Sequence, residues 1–143
     1  MLGAEAERIR AELSDIAVSF VENARWAEGI GTSIAAGVAA VSHWDGIVIL
    51  ACDQPHVSAA TINQLIAKHE ASGQPIVAAS YSETLGVPAF FAREYFSELQ
   101  QLAPDEGAKR LLLQHCDSIA TLEFNEGAVD LDTPGDYERF LAS

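Results

Sequence analysis

Three aspartates carry the clearest chemical suggestion in the sequence. Asp53 follows the apolar run Ile47 to Ala51 and Cys52, while Asp130 and Asp132 follow a second short apolar lead directly ahead of a helix start. Hard divalent cations such as Mg²⁺ are bound by one or two carboxylates together with substrate phosphates. Two carboxylates converging from two chain segments on one crevice would make such a site. Each aspartate also has a plainer use. Asp53-Gln54-Pro55 is ordinary turn chemistry, and Asp132 or Thr133 can cap the helix that follows. Asp130 lies upstream of that cap and is not needed for it.

A second candidate is the glycine segment NARWAEGIGTSIAAG, residues 23–37. Gly29, Gly31, Thr32 and Ser33 place glycine backbone, hydroxyls and a helix start together, a combination suited to close approach of a phosphate or a nucleobase. It is not a dinucleotide fingerprint, because Ile34 stands where the third glycine of G-x-G-x-x-G belongs. Cys52 beside Asp53 invites a covalent mechanism, but a cysteine closing a strand is ordinarily a small core residue. His56 and His115 read as a loop and a helix-end histidine.

Alternating strands and helices must position these residues. Helices are expected over 5–13, 32–41, 58–72, 95–102, 106–116 and 133–142. Ser58 and Gly73 bound the third, and Thr133, Pro134 and Asp136 open the last. The face Ile62, Leu65, Ile66 and His69 of helix 58–72 is expected to turn inward. Strands are expected over 15–23, 46–52, 75–80, 87–91 and 118–124, with Pro88 marking an edge or a bend. The run at 46–52 is apolar on both faces and reads as a central strand. That order predicts a largely parallel sheet covered by helices on both faces, with an antiparallel edge in the C-terminal half. Ligands of such sheets bind beyond the carboxyl ends of the strands, where Asp53 falls.

The chain has 143 residues, 49% of them hydrophobic, and a formal charge of −13 from 8 Lys plus Arg against 21 Asp plus Glu. The length suits one domain spanning 1–143. Its charge repels nucleic acid and anionic membranes, and no apolar run approaches the ~20 residues needed to cross a bilayer. Cys52 and Cys116 are expected as reduced thiols of a cytoplasmic protein.

The segments NARWAEGIGTSIAAG, CDQP, GVPAFF, DEGAKRLL and VDLDTPGDY occur in the order and spacing of the molybdopterin nucleotidyltransferase-like family, and the chain resembles its cytidylyltransferase branch over essentially its whole length. The resemblance implies a Rossmann-like three-layer α/β fold. It also implies transfer of a nucleoside monophosphate from an NTP (CTP favoured over GTP) to a molybdopterin-type phosphate, with Mg²⁺. Carried over residue by residue, it makes Asp53 a metal ligand and gives a second acidic ligand in Asp130 or Asp132, with Asp130 preferred. It sets Gly29, Gly31, Thr32 and Ser33 against the nucleotide, and Gly86, Val87 and Pro88 on the acceptor side.

One departure is prominent. Family members begin with a strand and a loop of the form L-A-x-G-x-S-x-R-M-G-x-x-K that wraps the triphosphate, whereas Met1-Leu2-Gly3-Ala4 here aligns with the end of the family's second strand. The expectation is therefore a fold incomplete at its N-terminal side and little transferase activity from this chain alone. The alternative is a non-catalytic domain of the same fold that binds partners or associates with itself. A missing central strand would leave the apolar stretches 19–21 and 47–50 to pair directly or to seek a second copy through an exposed sheet edge.

Overall fold

The computed structural model describes residues 1–142. Four strands form one mixed sheet: β1 (Gly46–Ile49), β2 (Ile76–Tyr81), β3 (Thr84–Ala92) and β4 (Ile119–Glu123), in the order β1-β3-β2-β4. The helices are α1 (Ala6–Glu12), α2 (Ile30–Ala40), α3 (Ala59–Ser72), α4 (Phe96–Gln100), α5 (Lys109–Gln114) and α6 (Pro134–Leu141).

Alternation along β2 divides the core. Ile76 and Ala78 join Val38, Phe91, Leu99 and Leu112 on the face covered by α2, α4 and α5. Val77 joins Phe90 and Leu65 on the face covered by α3. Helices on both faces make the three layers the sequence implies. Helix α3 is capped as expected, with a Ser58–Thr61 capping box and Gly73 at φ 66°. Its buried residues are Thr61 and Leu65, while Ile66 turns outward at 37% exposure.

The expected parallel character is met only in part. β2 and β4 pair in parallel, but β3 runs antiparallel to both β1 and β2. The cause is local. Ser82 and Glu83, both at positive φ, join Tyr81 to Thr84 in a two-residue turn, which folds β3 back on β2 as a hairpin. β3 then lies between β2 and β1, so β1 is an edge strand and not a central one. Pro88 sits in β3, a central strand, where the register with β2 skips from Ala78↔Ala89 to Ala79↔Gly86. A proline is tolerated inside a sheet at such a bulge, so it marks a bend and not an edge.

Two further expectations are corrected. Residues 15–23 form no strand: the segment makes a single parallel bridge, Leu2↔Glu22, and Ile16 and Val18 stand 55% and 50% exposed. Apolar composition alone does not make a strand when no neighbour supplies a ladder. Nor do 19–21 and 47–50 pair directly. Val21 accepts from the Leu2 amide, and β1 has β3 as its ladder partner among the described residues.

Candidate functional site: the Asp53–Asp130 corner

β1 ends at Ile49, three residues earlier than the sequence suggests, and the chain turns through Cys52 and Asp53 toward α3. Asp130 likewise follows a 3-10 turn, Asn125–Ala128, and not a strand. The run into Asp130 is too short and too exposed to join the sheet. The two segments nevertheless meet. The Leu131 amide donates to the Asp53 carbonyl at 2.9 Å. Desolvation first, then the charge of Asp53, then that of Asp132 hold the Asp130 carboxyl above the ordinary aspartate range.

Asp53 Oδ1 is buried and has no hydrogen-bond partner among the described residues. A buried acceptor of this kind costs roughly 1–3 kcal/mol when left unmet. An unmet carboxylate oxygen beside a second carboxylate fits a cation. No group of three or more His, Cys, Asp or Glu side chains converges as a metal cage among the described residues. The pair could therefore hold a divalent ion only with oxygens supplied by water or by a ligand.

Asp130 also lines a shallow 270 Å³ pocket with His56, Leu131, Asp136, Arg139 and Phe140. His56 contacts the Phe140 ring edge-on, with centroids 5.4 Å apart. Asp136 is committed to the start of α6. It accepts from the Thr133 hydroxyl and amide at 2.6 and 2.7 Å and is paired with Arg139. These bonds, the Thr133 hydroxyl foremost, hold its carboxyl below the ordinary range. Asp132 is exposed at the entry to this cap.

The glycine segment is organised differently. A Cβ on Gly29 would lie 2.1 Å from the Pro104 carbonyl oxygen, and one on Gly31 would lie 2.1 Å from that of Ala103. Gly29 has φ 135° and precedes the first residue of α2. Both glycines thus let α2 press against 103–106, a demand that involves no ligand. Thr32 Oγ1 donates toward the carbonyls of Gly29 and Arg25, and the buried Asn23 carboxamide donates to Thr32 and Ser33. Ser33 is the more exposed of the two hydroxyls.

The acceptor-side residues lie at the bulge of β3. Gly86 and Pro88 are buried and Val87 is half-buried. The Val87 carbonyl accepts from Gln54 Nε2 at 3.1 Å and from the Tyr81 hydroxyl at 3.2 Å. Tyr81 stands where Cβ atoms on Gly86 or Gly127 would be, 2.2 and 2.8 Å from its atoms. Sequence reasoning missed both Gln54 and Tyr81. The available signal was a glutamine inside CDQP, which reads as a turn residue until its burial is seen.

Cys52 is exposed and free, so it is not the small core residue expected of a strand end, because the strand has already finished at Ile49. Cys116 is likewise exposed and free. His115 hydrogen-bonds Glu98 at 2.7 Å and lies edge-on to Tyr95, so its contacts are with α4 and the turn before it rather than with either aspartate.

The family model described as MobA-like NTP transferase domain matches residues 1–119. Purine catabolism protein PucB of Bacillus subtilis (strain 168) is 33% identical over 116 residues, which cover 78% of this chain and 55% of that protein. The chain thus spans just over half the length of that relative. Among solved structures, Rv0371c from Mycobacterium tuberculosis H37Rv superposes with a TM-score of 0.76 at 31% identity, covering 99% of this chain and 74% of the other. A manganese complex of Rv0371c gives 0.73 at 30% identity, over 99% and 76%. Molybdopterin-guanine dinucleotide biosynthesis protein A from Archaeoglobus fulgidus gives 0.64 at 21% identity, over 96% and 74%, a likeness of fold.

Proposed function

Because the chain belongs to the MobA-like NTP transferase domain family, we propose that it is the nucleotidyl-transfer domain of a protein that moves a nucleoside monophosphate, cytidylyl in preference to guanylyl, from an NTP to a molybdopterin-type phosphate. The observation that carries this reading is the buried, unpartnered Asp53 Oδ1 close to the exposed Asp130, whose carboxyl is held above the ordinary range by partial desolvation and by the charge of Asp53. Asp53 and Asp130 are the residues that would hold Mg²⁺, and Asp132 contributes charge to the same corner. Bound there, a divalent ion would supply neutralisation of phosphate charge.

The rest falls to the chain's own groups. An oxygen of the acceptor phosphate attacks the α-phosphorus, the bond from that phosphorus to the β-phosphate oxygen breaks, and pyrophosphate leaves. Such a transfer needs alignment and charge stabilisation and no protein nucleophile, so Cys52 has no part in it. The acceptor lies against the Val87 bulge between Gly86 and Pro88. The nucleotide lies on the side of Gly29, Gly31, Thr32 and Ser33, with Ser33 offering the accessible hydroxyl and the glycines holding the wall in place.

The chain alone is expected to turn over slowly. All six arginines are held in ion pairs with Asp or Glu: Arg8, Arg10, Arg25, Arg93, Arg110 and Arg139. A triphosphate approaching a domain of charge −13 is repelled overall, although exposed ion pairs of this kind hold the arginines by only ~0–1 kcal/mol. The test is pyrophosphate release with CTP or GTP, molybdopterin and Mg²⁺, measured for this chain and for variants at Asp53. A slow CTP-dependent signal lost on Asp53→Asn supports the reading, whereas a signal indifferent to Asp53 refutes it.

A second reading, a self-associating domain, is favoured by the single-sided pairing of β1 and the exposure of Leu50 beyond it. An unpaired edge of this kind templates pairing with another chain. Light scattering across a concentration series decides it: a mass that rises with concentration supports association, and a constant monomer mass rejects it.

A further inference from the structure

Gln54 is 7% exposed, yet it is polar and adjoins Asp53. Its Nε2 donates to the Gly127 carbonyl at 2.9 Å and to the Val87 carbonyl at 3.1 Å, and lies 3.4 Å from the Tyr81 hydroxyl. One carboxamide thus ties the loop after β1 to the bulge of β3 and to the 3-10 turn that leads to Asp130. The β2–β4 ladder ends at Ser80↔Glu123, followed by one bond from the Phe124 amide to the Ser80 carbonyl at 3.0 Å, so residues 125–131 lie beyond it. The Asp53 carbonyl adds a second tie through the Leu131 amide. These two bonds bracket Asp130, one three residues before it and one directly after it.

We propose that Gln54 is a positioning residue that fixes the separation of the Asp53 and Asp130 carboxylates and sets the Val87 wall against them. The proposal rests on the reading of those aspartates as a metal-holding pair. Glutamine suits the task on stereochemical grounds. Its amide nitrogen has two hydrogens for two carbonyls, and its chain is long enough to reach both. Asparagine is one methylene shorter, and methionine fills the space with no donor. The Gln54 Oε1 is buried without a partner among the described residues, so the hydrogen bonds of this side chain run through Nε2. Without it the two carbonyls lose their shared donor, and the tie between the Asp53 loop and residues 127–131 falls to the Leu131 amide.

The test is Mn²⁺ binding, followed by the electron paramagnetic resonance of the unbound ion, on the folded chain and on Gln54→Met. Partners that orient metal ligands from outside the coordination shell typically change affinity ~10–100-fold on substitution, and a loss in that range is expected. In an Asp130→Asn background the same substitution is expected to change affinity by less than about threefold, because its effect runs through Asp130. An unchanged affinity in folded Gln54→Met, or the full loss repeated without Asp130, overturns the proposal. If Gln54→Met does not fold, Gln54→Asn, which keeps the amide but cannot reach both carbonyls, is read by the same criteria. If the parent chain binds no Mn²⁺, the metal reading itself fails. Amide exchange then decides the coupling: Leu131 exchanging at least about tenfold faster in Gln54→Met supports it, and unchanged exchange overturns it.

Discussion

The Asp53 corner and the Gly29–Ser33 segment look alike in sequence, each a polar cluster beside an apolar run, yet their hydrogen-bond accounts differ. Around Asn23, the carboxamide is fully met within the protein: Thr32 and Ser33 accept from its nitrogen, and its Oδ1 accepts from the Arg25 amide. Around Asp53, a buried carboxylate oxygen has no donor, and the neighbouring Asp130 is held above its ordinary range by desolvation and like charge. Buried polar groups are nearly always satisfied, so an unmet one beside a second acid is the feature on which the proposed metal reading rests. The lesson is that glycine and hydroxyl content indicates a close approach but not what approaches. At Gly29 and Gly31 it is the protein's own 103–106 backbone.

The difference can be broken or sharpened by substitution. The largest stability effect is expected at Gly29→Ala, where a positive φ and a Cβ 2.1 Å from the Pro104 oxygen act together. Backbone strain of ~1–3 kcal/mol and overpacking of ~1–3 kcal/mol would remove much of the ~5–15 kcal/mol that keeps a domain folded. Urea denaturation should register the loss, while Mn²⁺ affinity of the remaining folded fraction stays within about twofold. A fully stable Gly29→Ala would break the comparison.

Asp130→Asn should act the other way. Mn²⁺ binding is expected to weaken about 100-fold, equivalent to ~2.7 kcal/mol, with a urea midpoint equal to or above that of the parent, since a like charge facing Asp53 is gone. Calorimetric titration and denaturation on the same sample would check both halves. A lower midpoint with intact metal binding would reverse the assignment.

Two smaller effects separate the capping residues from the carboxylate pair. Thr133→Ala removes the hydroxyl from the Thr133–Asp136 capping box and should cost about 1 kcal/mol of stability, read from the thermal midpoint, with little change in Mn²⁺ affinity. Asp132→Asn should alter Mn²⁺ affinity by less than about threefold, because exposed charges couple by only ~0–1 kcal/mol. A tenfold loss there would move the metal toward Asp132.

Much of the fold was legible because local signals agree with it. Ser58 and Gly73 bound α3, and Thr133, Pro134 and Asp136 open α6. The apolar run from Ile76 is a strand buried on both faces. The order of β3 was not legible, since the turn that reverses it is made by Ser82 and Glu83 and not by the glycine or asparagine such turns favour. The stretch 15–23 has strand composition without a strand's neighbours. At the site, Asp53 and Asp130 were legible as acids following apolar segments. Gln54 and Tyr81 were not, because their importance arises from contacts 27 to 73 residues away in the chain. Membership of the MobA-like NTP transferase domain family says which chemistry to test, and the proposed role of Asp53 says where to test it first.

The most direct test is therefore to locate a metal. Crystals of the chain soaked in Mn²⁺, with anomalous diffraction collected at a wavelength where manganese scatters strongly, would place the ion independently of any assay. One anomalous peak is expected between the Asp53 and Asp130 carboxylates, with Asp53 Oδ1 within the ~2.0–2.3 Å of a metal–oxygen bond and water completing the shell. A peak elsewhere, or an ion held without Asp53, would contradict it.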